Sequence, residues 1–179
     1  MARVKLIQPE ERPDQTALIE RIRKGRRGTF INVYKTLLHN PDIAGVWLDL
    51  VNAVRWKTEL SDRLREIAII RVGYLNKCAY VVNQHVPELS VPAGLPQEES
   101  KTLADWRNSK FFSEPERAVL AYTDAMTRDV DVPDAVFTEL RRHFSERQAV
   151  ELTVLIACYN MHTRVGQALQ IDPEPHHPK

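Results

Sequence analysis

Three side chains that could do chemistry, Glu66, Cys78 and His85, lie close together in the sequence. A thiol can act as a nucleophile, and an imidazole can accept a proton near neutral pH. In a helix, offsets of three, four and seven residues share a side, so Cys78, Val81 and His85 are predicted to lie on one face with Val82. The pattern therefore predicts a thiol and an imidazole flanking an apolar strip, with Tyr80 pointing away from this face.

The position of Glu66 relative to this face depends on a chain reversal at Asn76. If the chain continued as one helix, Glu66 would lie about 18 Å from Cys78 along the axis, at about 1.5 Å per residue. A reversal at Asn76 instead brings His85 level with Glu66. The acid could then orient the imidazole, and Val81 and Val82 would by desolvation raise the pKa of the acid and lower that of the imidazole. A neutral imidazole acting as a base near pH 7 is then expected.

Another interpretation of the same residues involves no chemistry. Glu66 would be a solvated charge, and His85 a histidine near a helix C-terminus, where the macrodipole favours it. Convergence of the two side chains in a cavity would decide between the interpretations.

Apolar residues recur at helical intervals along most of the chain, and alternating strand patterns are essentially absent. Capping boxes at Ser113 and Ser145 begin two long helices. The sequence predicts an all-α, single-domain helical bundle over residues 1–172 and a flexible tail over 173–179. The predicted helices are 14–24, 29–38, 41–56, 61–75, 78–86 (closed by Pro87), 98–106, 113–129, 133–143 and 145–169. In the third, Ile43, Val46, Trp47, Leu50, Val51 and Val54 form a predicted core-facing stripe.

The composition argues against several classes of partner. Twenty-five basic and twenty-four acidic residues give a net charge of +1, which provides no overall field for nucleic acid or anionic membranes. No apolar run is long enough for a signal sequence or a membrane span, so a cytoplasmic protein is expected. A basic run over residues 21–27 lacks interleaved aromatic residues, which disfavours nucleic-acid binding.

Neither cysteine indicates a disulfide or a metal site. Only Cys78 and Cys158 occur, far below the density of a disulfide scaffold, so two reduced thiols are expected. Cys158 and His162 have a spacing that can chelate a metal, but their apolar neighbours favour burial in a core or interface. Their surroundings therefore predict no metal site.

The residues around the candidate site resemble a known group of proteins. The segment 60–69, followed by Cys78 and His85, resembles the carboxymuconolactone decarboxylase and alkylhydroperoxidase D-like superfamily, as do segments 40–44 and 151–161. The resemblance implies an all-helical fold that forms homo-oligomers, with small-molecule pockets near subunit boundaries and no bound cofactor.

The resemblance also separates two branches of chemistry. In the peroxidase branch, the motif has a glutamate, two cysteines in a Cys-x-x-Cys pair and a histidine; Glu66, Cys78 and His85 match it, but Val81 replaces the second cysteine. Cys78 then has no local partner for a disulfide, which disfavours thiol peroxidase activity of that type. The decarboxylase branch commonly has an acid and a tryptophan where this chain has Val81 and Val82.

His85 and Glu66 match both branches. We therefore expect a cofactor-free, lyase-like or decarboxylase-like enzyme that uses His85 and Glu66 for acid/base chemistry on a small carbonyl or lactone compound, with Cys78 nearby. Two alternatives stay open: an alkylhydroperoxidase-like, peroxiredoxin-type antioxidant protein that uses Cys78, and a non-catalytic oligomeric interaction module.

Overall fold

The computed structural model describes residues 1–26 and 28–174, and in that part of the chain every regular element is helical. The predicted all-α class is confirmed. The α-helices are α1 Thr16–Gly25, α2 Asn32–Leu37, α3 Pro41–Trp56, α4 Asp62–Leu75, α5 Ala79–Gln84, α6 Gln97–Thr102, α7 Glu114–Arg128, α8 Asp134–His143 and α9 Glu146–Ala168. Shorter turns are the 3₁₀ segments Pro9–Glu11, Pro13–Gln15 and Leu103–Asn108 and the π-helical turn His85–Leu89. No helix in the described residues combines the length and apolarity needed to cross a membrane.

Helix α4 forms the centre of the bundle, where it contacts α5, α7 and α9. It begins as predicted at Ser61, whose hydroxyl accepts a hydrogen bond from the Leu64 amide at 3.3 Å. Its residues from Arg65 to Gly73 are all buried. A helix buried on every side must also enclose its polar residues, and each of these therefore needs a partner. Arg71 finds Asp124 of α7, with 2.6 Å between Nε and Oδ1.

The predicted reversal after α4 is confirmed. The Cys78 amide donates to the Gly73 carbonyl at 2.9 Å and the Lys77 amide to Tyr74 at 3.1 Å, the two bonds of a Schellman motif. Lys77 has the left-handed backbone conformation that this motif requires, with φ of 52°. Helix α5 then returns along α4, forming what we call the α4–α5 hairpin.

Two polar contacts fix the corner of the hairpin on α9. The Asn76 side-chain amide donates to Asn160 Oδ1 at 3.0 Å and to Thr163 Oγ1 at 2.8 Å. The corner is therefore held by the longest helix of the bundle.

The end of α5 differs from the prediction. The sequence predicted a helix that stops at Pro87, but Pro87 lies inside the π-helical turn His85–Leu89. A proline in an α-helix removes a hydrogen bond and clashes with the carbonyl of the preceding turn. The π-helical turn is wider and pairs residues five positions apart: the Ser90 amide donates to the His85 carbonyl at 2.8 Å.

Helix α3 buries only part of its predicted core stripe. Trp47, Val51 and Val54 are buried, as predicted. The prediction was wrong for three residues, whose exposed fractions are 48%, 67% and 39%: Ile43, Val46 and Leu50. At 100° per residue the apolar arc of α3 is wider than the face covered by its neighbours, which leaves these three side chains uncovered.

The C-terminal segment lies against the bundle as far as it is described. Glu174, within the predicted tail, accepts hydrogen bonds from the Asn32 amide at 2.6 Å and the Tyr80 hydroxyl at 2.9 Å, and it also contacts Gln84. The remainder of the predicted tail, residues 175–179, and Arg27 of the basic run lie outside the described residues.

Candidate active site

The α4–α5 hairpin brings Glu66 and His85 into direct contact. Glu66 Oε2 lies 2.6 Å from His85 Nδ1, although the two residues are nineteen positions apart. Both are buried, with exposed fractions of 4% and 5%. A carboxylate at Nδ1 favours the tautomer that is protonated there, which leaves Nε2 with its lone pair. The imidazole is therefore oriented so that Nε2 can accept a proton.

Arg55 of α3 is a third member of this cluster. Its Nη2 lies 3.4 Å from Glu66 Oε1, and its guanidinium lies 4.7 Å from the centre of the Trp56 ring. The sequence analysis did not identify Arg55, because helical spacing relates residues only within one helix. Nothing in the spacing of α3 indicates which of its polar residues faces α4.

The pKa of Glu66 is shifted in the opposite direction from the prediction. Burial alone would raise its pKa, as expected from the sequence, but His85 together with Arg55 and Arg65 holds the pKa below its ordinary value. The expectation was wrong because it counted only desolvation and omitted the opposing effects of His85, Arg55 and Arg65 on this pKa. Glu66 is therefore ionised at neutral pH, and an ionised carboxylate can stabilise an imidazolium that forms when His85 takes up a proton.

His85 opens onto the larger of two neighbouring recesses. A cavity of about 510 Å³ is lined by His85 and by residues of α1, α3, α5 and α9, and this volume suits a small molecule. Its aromatic lining consists of Tyr34, Trp56, Tyr80 and Tyr159, with His162 beside them. Its charged lining consists of Lys24, Arg26, Arg55, Lys57 and Glu88.

Glu66 lies behind His85 rather than in this cavity. It lines a smaller recess of about 220 Å³ together with Arg55 and Arg65. A molecule in the main cavity would therefore meet the imidazole, while the carboxylate supports the imidazole from the protein side.

Cys78 is not among the residues that line either recess. Its thiol is 1% exposed and is directed towards Gly166 of α9, and burial raises its pKa. The predicted common face fails because Cys78 is the N-cap of α5, with φ of −89° and ψ of 90°. The offset of seven residues to His85 assumes helical geometry at both ends, and this condition does not hold.

Tyr80 also lies differently from its prediction. Helical spacing placed it away from the face of His85, yet it lines the same cavity. The short α5 allows this arrangement, because the backbone leaves α-helical geometry before a full second turn is complete. The cavity is therefore bounded by both sides of α5.

Two residues of α9 complete the wall next to His85. Tyr159 meets the His85 ring edge-on, with 5.7 Å between ring centres, and stacks on His162 at 5.7 Å. The sequence favoured a core or interface position for His162, and the structure places it on the cavity wall. Burial lowers the pKa of His162 to about 3, so its ring is neutral at physiological pH. The described residues contain no cluster of three or more histidine, cysteine or acidic side chains suited to hold a metal ion.

Sequence comparisons with known proteins match the part of the chain that contains the candidate active site. The pattern of the Carboxymuconolactone decarboxylase family matches residues 41–125, a range that includes Glu66, Cys78 and His85. YnjA, an uncharacterized protein of Escherichia coli (strain K12), is 29% identical over 126 residues, which are 70% of this chain and 66% of YnjA. The chain thus spans just under two thirds of this relative.

Solved structures extend the similarity to the fold. A protein of unknown function from Agrobacterium tumefaciens, named for the antioxidant defence protein AhpD, is 29% identical with a TM-score of 0.74, covering 79% of this chain and 97% of that one. The debrominase Bmp8 in complex with 2,3,4-tribromopyrrole has a TM-score of 0.82 at 20% identity, covering 98% and 95%. The family pattern and the shared helical fold together support assignment of the chain to the carboxymuconolactone decarboxylase and alkylhydroperoxidase D-like superfamily.

Proposed function

We propose that this protein is an enzyme that catalyses acid/base chemistry on a small carbonyl or lactone compound, with His85 as the base and no cofactor. The observation that carries the proposal is the buried contact of 2.6 Å between Glu66 and His85, with His85 on the wall of a cavity of about 510 Å³. A base oriented by a buried carboxylate is a recurrent catalytic arrangement.

The reaction would proceed through proton transfer at His85. Nε2 takes a proton from a carbon next to the carbonyl group, and the electron pair of the broken C–H bond moves into the carbonyl system to form an enolate. Glu66 stabilises the resulting imidazolium. Return of the proton to another carbon gives isomerisation, and departure of a leaving group gives elimination. In a decarboxylation, loss of carbon dioxide forms the enolate and a protonated His85 delivers the proton.

Thiol peroxidase chemistry is the second candidate, supported by the A. tumefaciens structure named for AhpD. That chemistry needs an accessible thiolate. Cys78 is buried, burial raises its pKa, and Val81 stands where a second cysteine would be needed. These observations favour acid/base chemistry over peroxide reduction.

A non-catalytic interaction module is the third candidate. The uncovered apolar side chains Ile43, Val46 and Leu50 on α3 are compatible with self-association, and we propose that the protein is a homo-oligomer. We also propose that it is cytoplasmic and that it binds a small molecule, but neither nucleic acid nor a membrane. Self-association alone would not require a buried acid that contacts an imidazole on the wall of a cavity. Their convergence favours an enzyme.

The experiment is a mass-spectrometric screen of small lactones and β-keto acids with wild type, His85→Ala and His39→Ala. His39 is an exposed histidine that bonds the Lys5 carbonyl, so it controls for loss of an imidazole away from the cavity. We expect turnover to be lost only in His85→Ala, with helical circular dichroism and oligomer size unchanged. Turnover at the wild-type rate in His85→Ala, or no consumption of any compound by wild type, would contradict the proposal.

A further inference from the structure

Tyr159 differs from the other buried tyrosines in its hydrogen bonding. A buried phenol normally finds a partner for its hydroxyl group. The three others do: Tyr34 accepts from Arg26 at 2.6 Å, Tyr80 donates to Glu174 at 2.9 Å, and Tyr122 bonds Thr153 at 2.8 Å. Tyr159 is only 3% exposed and lines the main cavity, and its hydroxyl makes no hydrogen bond within residues 1–26 and 28–174; because it is not among the fully buried polar atoms without a partner there, the hydroxyl oxygen is accessible. A molecule in the cavity could supply that partner.

The ring of Tyr159 is held in place on two sides. Its contacts with His85 and His162 both have ring centres 5.7 Å apart. His162 is itself packed against Tyr80 at 6.3 Å and Trp47 at 5.5 Å. A hydroxyl on a ring that is fixed in this way is preorganised and costs little reorganisation when it binds a ligand.

The buried surroundings of Tyr159 keep its hydroxyl protonated, so that it can donate a hydrogen bond. Burial raises the pKa of its phenol well above the ordinary value, so the hydroxyl is protonated at neutral pH. The imidazole of His162 is neutral under the same conditions, because burial lowers its pKa to about 3. The wall beside His85 therefore presents neutral rings and a hydroxyl rather than a second titrating base.

We infer that Tyr159 is a second catalytic residue, whose hydroxyl donates a hydrogen bond to the substrate oxygen that becomes an oxyanion when His85 removes a proton. The inference rests on the proposed acid/base function and refines its substrate class. It requires a compound that presents an ionisable C–H bond to His85 and a carbonyl oxygen to Tyr159. The electron pair released by the C–H bond ends on that oxygen, and the proton ends on His85 Nε2.

The test uses 4-nitrophenol, whose phenolate imitates an enolate oxygen and absorbs visible light. The affinity of the phenolate is measured by absorbance titration for wild type, Tyr159→Phe and Tyr122→Phe. Tyr122→Phe also removes a buried tyrosine hydroxyl, but Tyr122 is not among the residues that line the cavity. A hydrogen bond to a charged group predicts about 10-fold or more weaker binding for Tyr159→Phe. Binding within about 2-fold of wild type is expected for Tyr122→Phe.

The outcomes separate this inference from the proposed function. Absence of phenolate binding by wild type, or equal binding by wild type and Tyr159→Phe, as when an ordered water satisfies the hydroxyl, would overturn the inference whatever the turnover. Tyr159-dependent binding without turnover of any lactone or β-keto acid would keep the inference and reject the function. For a compound that is turned over, Tyr159→Phe should lower kcat about 10²-fold with a smaller change in KM.

Discussion

Glu66 Oε2 contacts His85 Nδ1 at 2.6 Å from the opposite arm of the α4–α5 hairpin. This contact indicates a supporting role for Glu66, because its carboxylate lies behind the imidazole and lines a different recess. It can orient the base and stabilise its charged form without touching the substrate.

Glu66→Gln should therefore impair catalysis while the fold persists. The amide has nearly the same shape but no charge, so it stabilises an imidazolium poorly, and we expect kcat to fall about 10²-fold or more. Glu98→Gln changes an exposed acid of α6 and should leave kcat unchanged. Steady-state kinetics and circular dichroism check both variants. A Glu66→Gln enzyme with wild-type kcat would show that the contact is only structural.

Cys78→Ser should reduce activity only partly, in contrast to His85→Ala. The thiol does not line the cavity, and its expected effect comes from placing a hydroxyl in an apolar site. Both thiols should also react slowly with a thiol reagent in the native protein, because burial raises the pKa of Cys78 and raises that of Cys158 to about 11. Equal loss of activity in Cys78→Ser and His85→Ala would point instead to thiol chemistry.

The buried ion pair of α4 and α7 should make stability depend on pH. Burial alone would raise the pKa of Asp124, but hydrogen bonds from Arg71 and Arg107 hold it below its ordinary value. A lowered folded-state pKa contributes stability above the unfolded pKa, and this contribution is lost as the pH falls through the folded value.

Asp124→Asn should thus be less stable than wild type at pH 7, by roughly 3–5 kcal/mol in the free energy of unfolding. The difference should shrink as the pH falls below about 4, near the ordinary carboxyl pKa. Asp131→Asn alters an exposed acid and should unfold like wild type at each pH. Urea titrations at several pH values measure these differences, and a pH-independent gap would rule out the linkage.

Gly73→Ala tests how closely the two arms of the hairpin approach. A Cβ at Gly73 would lie 3.1 Å from Val82 Cγ2 and 3.2 Å from Val81 Cγ1. Forcing the arms apart should cost about 1–3 kcal/mol of stability. Gly166→Ala is the matched control, since its Cβ would make an ordinary contact of 3.5 Å with Cys78 Sγ. There the better helix propensity of alanine should dominate, and thermal unfolding should show opposite shifts.

Most helices of this fold could be predicted from helix caps and apolar periodicity in the sequence. Ser61, Ser113 and Ser145 cap the helices that they were predicted to begin, and the reversal at Asn76 follows from the end of one apolar periodicity and the start of another. The Glu66–His85 contact follows from that reversal by counting residues along two antiparallel helices. These features depend on interactions between residues close in sequence.

The rest of the site depends on contacts between distant helices, which periodicity does not encode. Arg55, Tyr159 and His162 reach the cavity because α3 and α9 pack beside the hairpin, and their spacing alone also fits a core. The predictions for Cys78 and Tyr80 were wrong because they assumed helical geometry from Cys78 to His85, whereas Cys78 is a nonhelical cap and α5 is only six residues long. The pKa of Glu66 was mispredicted because the sequence argument counted only desolvation, whereas His85 and two arginines from the surrounding structure lower this pKa.

The origin of the site in a single hairpin bears on how this cavity can change. The reacting pair comes from one continuous stretch of chain whose corner is bound to α9 by Asn76, whereas α1, α3 and α9 supply eight of the twenty residues that line the cavity. Substitutions in those three helices can reshape what the cavity admits without touching the pair itself. Selection for a different substrate could therefore change the residues of the cavity wall and retain Glu66 and His85.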